Sequence, residues 1–222
     1  MIKKDPPLKD YYNNLFRTKK ENQEKLFSPP NKQFRKLVKQ FKFNYDKKAL
    51  DLGYGAGNYS KYLLDNNFCV ISVDMVDKTI FINKCNKEVK ENRLRVVETD
   101  INDYRVAEKI DFMISKDVLH YLKRESVKAI LRNMTKHTNK NGYHYLVIFA
   151  DINRKNPDGS KSIIENEANY SSEEVISLIE KYYKDWNVDI YMKPYKEKDK
   201  LSKTIEYYFQ ANQITVIAQK IK

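Results

Sequence analysis

The stretch that most constrains this chain is Ala49-Leu50-Asp51-Leu52-Gly53-Tyr54-Gly55-Ala56-Gly57, an apolar strand that ends in an acid and runs into three alternate glycines. Without a Cβ the backbone can turn through positive φ, and a ligand can lie directly against it. Asn58 then opens a helix with Tyr59, Tyr62 and Leu63 on one face. Its first free backbone N–H groups and positive dipole end point toward the loop and suit a ligand carboxylate. Two common readings of a glycine loop fail on spacing. The dinucleotide fingerprint leaves two residues between its second and third glycines, which would fall on Asn58, and Gly57 comes one step early. A phosphate-binding P-loop needs Gly-Lys-Ser/Thr, and the chain has Gly57-Asn58-Tyr59.

The acids downstream extend the pattern. Phe68 to Val73 reads as a second strand ending in Asp74, about 20 residues beyond the loop, where βαβ nucleotide folds hold a ribose. Met75 follows, a polarizable thioether suited to an adenine face or to ordinary core packing. A third strand, Leu94 to Glu98, leads to Thr99-Asp100-Ile101, where Asp100 can accept from an exocyclic amine or serve as a turn acid.

With these residues in place, the glycine run, Asp74 and Asp100 at successive strand ends resemble the class I S-adenosylmethionine-dependent methyltransferases, over roughly residues 45 to 220. The resemblance implies a Rossmann-like α/β fold, with a seven-stranded, mostly parallel sheet, an antiparallel last strand and helices on both faces. It implies S-adenosyl-L-methionine as cofactor, S-adenosyl-L-homocysteine as product, and cofactor contacts from Asp51, Gly53, Gly55, Gly57, Asp74, Met75, Asp100, Ile101 and Ser115. Within that superfamily the chain is most similar to the tellurite-resistance methyltransferase group. The shared features are Tyr11-Tyr12 before the first helix, the fourth strand Asp111 to Ser115 running into Val118-Leu119-His120-Tyr121-Leu122, and Asn139 to Tyr143 before the fifth strand. Tyr54 stands where that group usually has cysteine and Asn141 where proline is common, departures that bear on the substrate rather than on the cofactor.

At 222 residues the chain matches one α/β domain, and the expected organisation is a cap segment over 1–30 and a single methyltransferase domain over 31–222. No 18-residue apolar run and no cleavable leader pattern is present, so the expected compartment is the cytoplasm, with no membrane partner. Two cysteines, Cys69 in a strand and Cys85 on a helix, support neither a disulfide framework nor a four-ligand zinc site. Both are expected reduced, with Cys69 buried, and no metal is expected. The formal charge of +12 raises nucleic acid as a partner. Lysine greatly outnumbers arginine, however, and arginine is the better residue for bidentate phosphate and base contacts. A solvated surface is the favoured reading, and nucleic acid is not favoured. The base-methylating Asn/Asp-Pro-Pro-Tyr/Phe segment is also absent, since the fourth strand ends in Ser115-Lys116-Asp117-Val118.

Phe34, Leu37, Val38 and Phe41 predict an amphipathic helix after Pro29-Pro30-Asn31. Strands near 48–52, 68–73, 94–98, 110–115 and 143–150 alternate with helices near 58–66, 77–91, 123–137 and 171–184, the pattern of a parallel sheet closed by a C-terminal antiparallel pair. The segment from Asp151 to Tyr170 reads as a long specificity loop, and Lys193 to Thr204 as a solvated hairpin tip.

Methyl transfer from a sulfonium needs a nucleophile held about 3 to 3.5 Å from the methyl with the bonds in line. Ser115, Lys116, Asp117 and His120, at the fourth strand's end, are the candidates to line that space. His120 reads either as a group able to take a proton near neutrality or as a surface or packing histidine of the Val118 to Leu122 segment, whereas His137 and His144 read as helix-end and sheet residues without a role. Tyr11, Tyr12 and Arg17 form a second group that can exclude water and hold an anion. His120, Lys116 and Tyr12 are thus the candidate catalytic residues. The expected acceptor is a small molecule, an oxyanion or thiol-like compound on the group resemblance, handled by a monomer or homodimer. The alternative is an RNA or protein methyltransferase that docks through its lysine-rich face.

Overall fold

The computed structural model describes residues 27–40, 47–156, 158–198 and 206–222, and at Ile80 the backbone alone. The chain divides into two compact units, Met1–Tyr104 and Arg105–Lys222. Most of the expected cap over 1–30 therefore lies outside the described residues, as do Tyr11, Tyr12 and Arg17.

In the first unit, helix α1 (Lys32–Gln40) follows Pro30-Asn31, and Asn31 Oδ1 accepts from the Phe34 N–H at 2.9 Å, giving one orphan amide a partner. Its predicted stripe is buried at Phe34, Leu37 and Val38, while Phe41 is outside the described residues. Strands β1 (Lys48–Leu52), β2 (Cys69–Asp74) and β3 (Leu94–Glu98) form a parallel ladder in the order β3-β2-β1. Helix α2 (Asn58–Asp65) joins β1 to β2. The single helix expected over 77–91 is two, α3 (Thr79–Lys84) and α4 (Asn86–Lys90), because Cys85 leaves helical geometry at φ −114°, ψ 28°. Cys85 is buried and Cys69 only half-buried, the reverse of expectation for Cys69, which sits at the entry of β2. Both thiols are free.

The second unit contains β4 (Ile110–Lys116), a 3-10 turn (Leu119–Tyr121), α5 (Arg124–His137), β5 (Thr138–Lys155), β6 (Lys161–Ser162), α6 (Ser172–Tyr182), β7 (Trp186–Glu197) and β8 (Phe209–Lys220). β4 runs parallel to β5, and β8 lies antiparallel between β5 and β7. The last strand is thus antiparallel to both neighbours, as expected. The described residues hold eight strands rather than seven, because the two-residue β6 pairs with the far end of β5. From Tyr145 to Ala150 every residue of β5 is buried, the mark of a strand covered on both faces. Each large apolar side chain there contributes about 1.5 to 3 kcal/mol by burial. Helix α6 is started by a reciprocal cap in which Ser171 Oγ accepts from the Glu174 N–H and Glu174 accepts from the Ser171 N–H.

The long loop expected from Asp151 to Tyr170 is corrected. β5 continues to Lys155 beyond a bulge between Ala150 and Asn153, with Asp151 at φ 52°, and Asn153 and Arg154 stay paired to Gln210 and Phe209 of β8. The charged tip expected from Lys193 is strand as far as Glu197, still paired to Phe209, while residues 199–205 lie outside the described ones. No helix among the described residues is long and apolar enough to cross a membrane.

Candidate functional site

The glycine loop in the first unit is held on β2. The Gly53 N–H donates to the Val73 carbonyl at 2.7 Å, the Gly57 N–H to the Tyr54 carbonyl at 2.8 Å, and the Gly55 N–H to Asp74 Oδ2 at 2.9 Å. Gly57, the residue before α2, has φ 77°, and a Cβ there would meet the Phe81 ring at 2.4 Å. Both the left-handed backbone and the ring exclude a side chain at that position. Gly55, at φ 51°, differs: a Cβ would find nothing within 4 Å. Bare backbone thus faces open space in the middle of the motif, the room a ligand needs.

Asp74, half-buried at the end of β2, also accepts from the Met75 and Val76 N–H groups at 2.7 and 3.3 Å. Burial raises its pKa in spite of these three donors. A carboxylate has about four acceptor positions, so one more hydrogen bond can be made to a ligand hydroxyl. Met75 beside it is half-buried. Asp51, an expected cofactor contact, is 2% exposed and accepts from Ser60 Oγ at 2.7 Å, and Ser60 in turn meets Ser72 Oγ at 2.7 Å. It ties β1, α2 and β2 together beneath the loop. Asp100 Oδ1 accepts from both the backbone and the side-chain amide of Asn102 at 2.8 Å, a turn acid in this structure, and Ile101 is buried.

Aromatic rings surround the loop. Tyr54 stacks on Phe81 at 5.0 Å, and Phe27 meets Phe81 edge-on at 6.0 Å. The Ser28 N–H donates to Asn58 Oδ1 at 2.8 Å, so the described end of the N-terminal segment is fixed to the start of α2. Tyr54 Oη is buried without a partner among the described residues, and burial with the nearby carboxylates of Asp74 and Glu98 drives its pKa upward. An adenosine-type ligand fits this set of groups, with open space at Gly55, an acid with capacity left at Asp74, and a buried hydroxyl awaiting a partner.

In the second unit the end of β4 carries the other candidates. Ser115 is fully buried. Lys116 pairs with Asp117, which has the left-handed φ of 57° and donates its N–H to the Val147 carbonyl at 2.9 Å. His120 is 1% exposed, between Tyr121 at 4.2 Å and Phe149 at 5.1 Å. Burial first, then the charges of Arg154 and Lys116, push its pKa down to about 3. The reading in which it takes a proton near neutrality is therefore corrected, since in this conformation the imidazole is neutral. The other histidines are structural, as expected. His144 bonds Thr138 Oγ1 at 2.6 Å and Tyr183 Oη at 2.7 Å, and His137 bonds the Asn133 carbonyl at 2.8 Å.

Sequence reasoning missed Arg154 and Glu167, which form a two-pronged ion pair next to the His120 cluster, with Arg154 Nη2 to Glu167 Oε1 at 2.7 Å and the Glu167 side chain 1% exposed. They lie in the stretch read as a loop, and the available signal was the one arginine and one of the two glutamates of an asparagine-rich segment. Tyr54 was seen only as a departure from cysteine. Among the described residues no group of three or more His, Cys, Asp or Glu could hold a metal.

The sequence model described as tellurite resistance protein TehB matches residues 9–215. A curated Haemophilus influenzae protein named as a probable S-adenosyl-L-methionine-dependent methyltransferase, TehB, is 35% identical over 143 residues, 63% of this chain. The chain spans about half, 46%, of that relative's length. The crystal structure of TehB from Haemophilus influenzae superposes with a TM-score of 0.63 at 24% identity, covering 96% of this chain and 66% of that one. Haemonchus contortus phosphoethanolamine N-methyltransferase 2, solved with phosphomonomethylethanolamine and S-adenosylhomocysteine, gives a TM-score of 0.65 at 13% identity over 98% of this chain and 61% of that one. These structures share the Rossmann-like methyltransferase fold with this chain, and the match over 9–215 takes in the glycine loop, the acids after it and the antiparallel end alike. A strand, a bare peptide bend and an acid at each following strand end thus have a common origin here: this chain belongs to the TehB family.

Proposed function

We propose that this chain is an S-adenosyl-L-methionine-dependent methyltransferase that acts on a small-molecule acceptor. The observation that carries the reading is the Gly55 N–H bound to Asp74 beside open space at the centre of the glycine run. Gly53, Gly55 and Gly57 with the start of α2 hold the amino-acid end of the cofactor, Asp74 accepts from the ribose, and Met75, Asp100 and Ile101 border the adenine. Asp51 acts beneath them by fixing Ser60. The cofactor, when bound, supplies an electrophilic methyl on sulfur and leaves as S-adenosyl-L-homocysteine, so the protein's part is binding, alignment and exclusion of water.

On the acceptor side the reading assigns Ser115, Lys116 and His120, with Tyr12 as a covering residue. His120 then acts as a neutral hydrogen-bonding group, in keeping with its depressed pKa. Oxyanion and thiol-like acceptors are the first candidates that the family suggests. Residues 31–222 are read as one methyltransferase domain working in the cytoplasm as a monomer or homodimer. The deciding experiment incubates the protein with methyl-labelled S-adenosyl-L-methionine and fractionated cell extract. Label in small molecules supports the reading. Label in RNA or protein would transfer it to the alternative suggested by the +12 charge, with steeply salt-dependent docking as its companion sign.

A further inference from the structure

Strand β7 runs for 12 residues, and among the described residues it pairs with β8 alone. Its middle is open to solvent: Asp189 and Lys193 are exposed, and Tyr191 and Met192 are 51% and 55% exposed. An edge of this kind is a template for another strand. Pro194 tells which backbone groups are on offer. It has no N–H yet stays in register opposite Asn212, so its nitrogen faces away from β8. Antiparallel ladders alternate, and the N–H and C=O groups of Val188, Ile190 and Met192 therefore face the same open side. Side chains alternate as well. Asp189, Tyr191 and Lys193 share one face of the sheet, and Val188, Ile190 and Met192 the other.

We infer that β7 pairs with the β7 of a second copy of this chain, the two strands running antiparallel about a two-fold axis at Tyr191. The order of residues along the strand selects this register. With Tyr191 opposite itself, Asp189 of each copy faces Lys193 of the other and Ile190 faces Met192, so opposite charges meet on one face and apolar groups on the other. The open N–H and C=O groups of Ile190 and Met192 meet each other, and the Val188 N–H can donate to the Pro194 carbonyl. Other registers lose this match. An axis at Ile190 sets Asp189 against Tyr191 and Lys193 against Asn187, without a charge pair. An axis at Met192 sets Lys193 against Tyr191 and brings Pro194, which cannot donate, against Ile190. At Asp189 or Lys193 it brings like charges together, and between two residues it turns open backbone groups toward ones that β8 already uses. Charge complementarity thus singles out a second copy as the occupant. The axis consumes both β7 edges, so assembly closes at two chains. The inference draws on this strand alone and is independent of the methyltransferase reading.

The test is sedimentation of the full chain between about 1 and 500 µM. A pairing of this length belongs to the small class of interfaces, and dissociation at about 10 to 100 µM is expected, with the mass rising from one chain to two. Asp189→Lys and Lys193→Asp each change an exposed side chain and set two like-charge pairs across the axis. Each should weaken the dimer about tenfold. Mixed in equal amounts, the two variants should recover the affinity of the unaltered chain as a heterodimer, because every lysine then faces an aspartate, a recovery that also reports intact folds. Tyr191→Cys, made together with Cys69→Ser, should give a disulfide-linked dimer on mild oxidation, since the axis residue faces itself where side chains lie closest. Asn187→Cys in the same background should not. A single-chain mass at the highest concentration, variants as dimeric as the unaltered chain, no recovery on mixing, or a Tyr191→Cys chain that stays single would each overturn the inference.

Discussion

His144 and His120 lie in the same unit, are equally buried, and have pKa values pushed to about 3 by the same first cause, burial. They differ in what surrounds the ring. His144 spends both nitrogens on protein hydroxyls, Thr138 and Tyr183, and stacks edge-on with Trp186 at 4.8 Å. His120 has two rings beside it and, among the described residues, nothing for either nitrogen. Burial and charge state alone would class them together. The hydrogen-bond inventory separates a group that holds the fold from one that the fold alone does not explain.

The comparison can be broken by experiment. Replacement of His144 by phenylalanine strands the buried Tyr183 hydroxyl, while Thr138 Oγ1 keeps the Met134 carbonyl at 2.7 Å, and urea unfolding should show a loss of about 1 to 3 kcal/mol; a neutral result would mean that its network contributes nothing. The Asp74→Ala change tests a residue satisfied by its own loop yet assigned to the ligand. Affinity for S-adenosyl-L-homocysteine, read by calorimetry, should weaken by about 1 to 3 kcal/mol, and unchanged affinity removes Asp74 from the site. Acid titration sharpens the pair. Each imidazole binds its proton near the ordinary 6.5 when unfolded and near 3 when folded, so the unfolded state holds more protons in between. The stabilising difference is complete above about pH 6.5 and is lost as pH falls toward 3, at about 1.4 kcal/mol per unit for each ring. His120→Phe should remove one ring's share, so that stability against pH between 6 and 4 flattens by about that slope. The smallest effect is expected for the same variant at pH 7.5, where replacing an imidazole without a partner among the described residues by an apolar ring should change stability by less than about 1 kcal/mol or raise it. A larger loss would show that the protein itself satisfies His120.

Much of the first unit was legible because its signals are local. Alternate glycines, a strand before them and acids at fixed distances after them are readable in a short window, and β1, α2, β2 and β3 lie within a residue or so of where the sequence predicts them. The break at Cys85 was not legible, since nothing in Lys84-Cys85-Asn86 forbids a helix and the break is set by tertiary packing. β5 was read short because Asp151 looks like the start of a loop. A bulge can carry a strand through such a residue, and only the pairing of Arg154 with Phe209 reveals it. The site divides in the same way. The glycines and Asp74 can be read in a short window and meet in one hydrogen-bonded loop, the tie of Asp51 to Ser60 cannot be read there, and the pKa of His120 depends first on burial and then on Arg154, a residue 34 positions away in sequence that the fold brings near.

The continuation of β5 past its bulge means that Arg154 is presented by a strand braced by β8, not by a swinging flap. Change in ligand preference among chains built this way should then come by exchange of side chains on a stiff rail, with the length of the connection kept, and grafting such residues between relatives is a substitution problem rather than a loop-design problem.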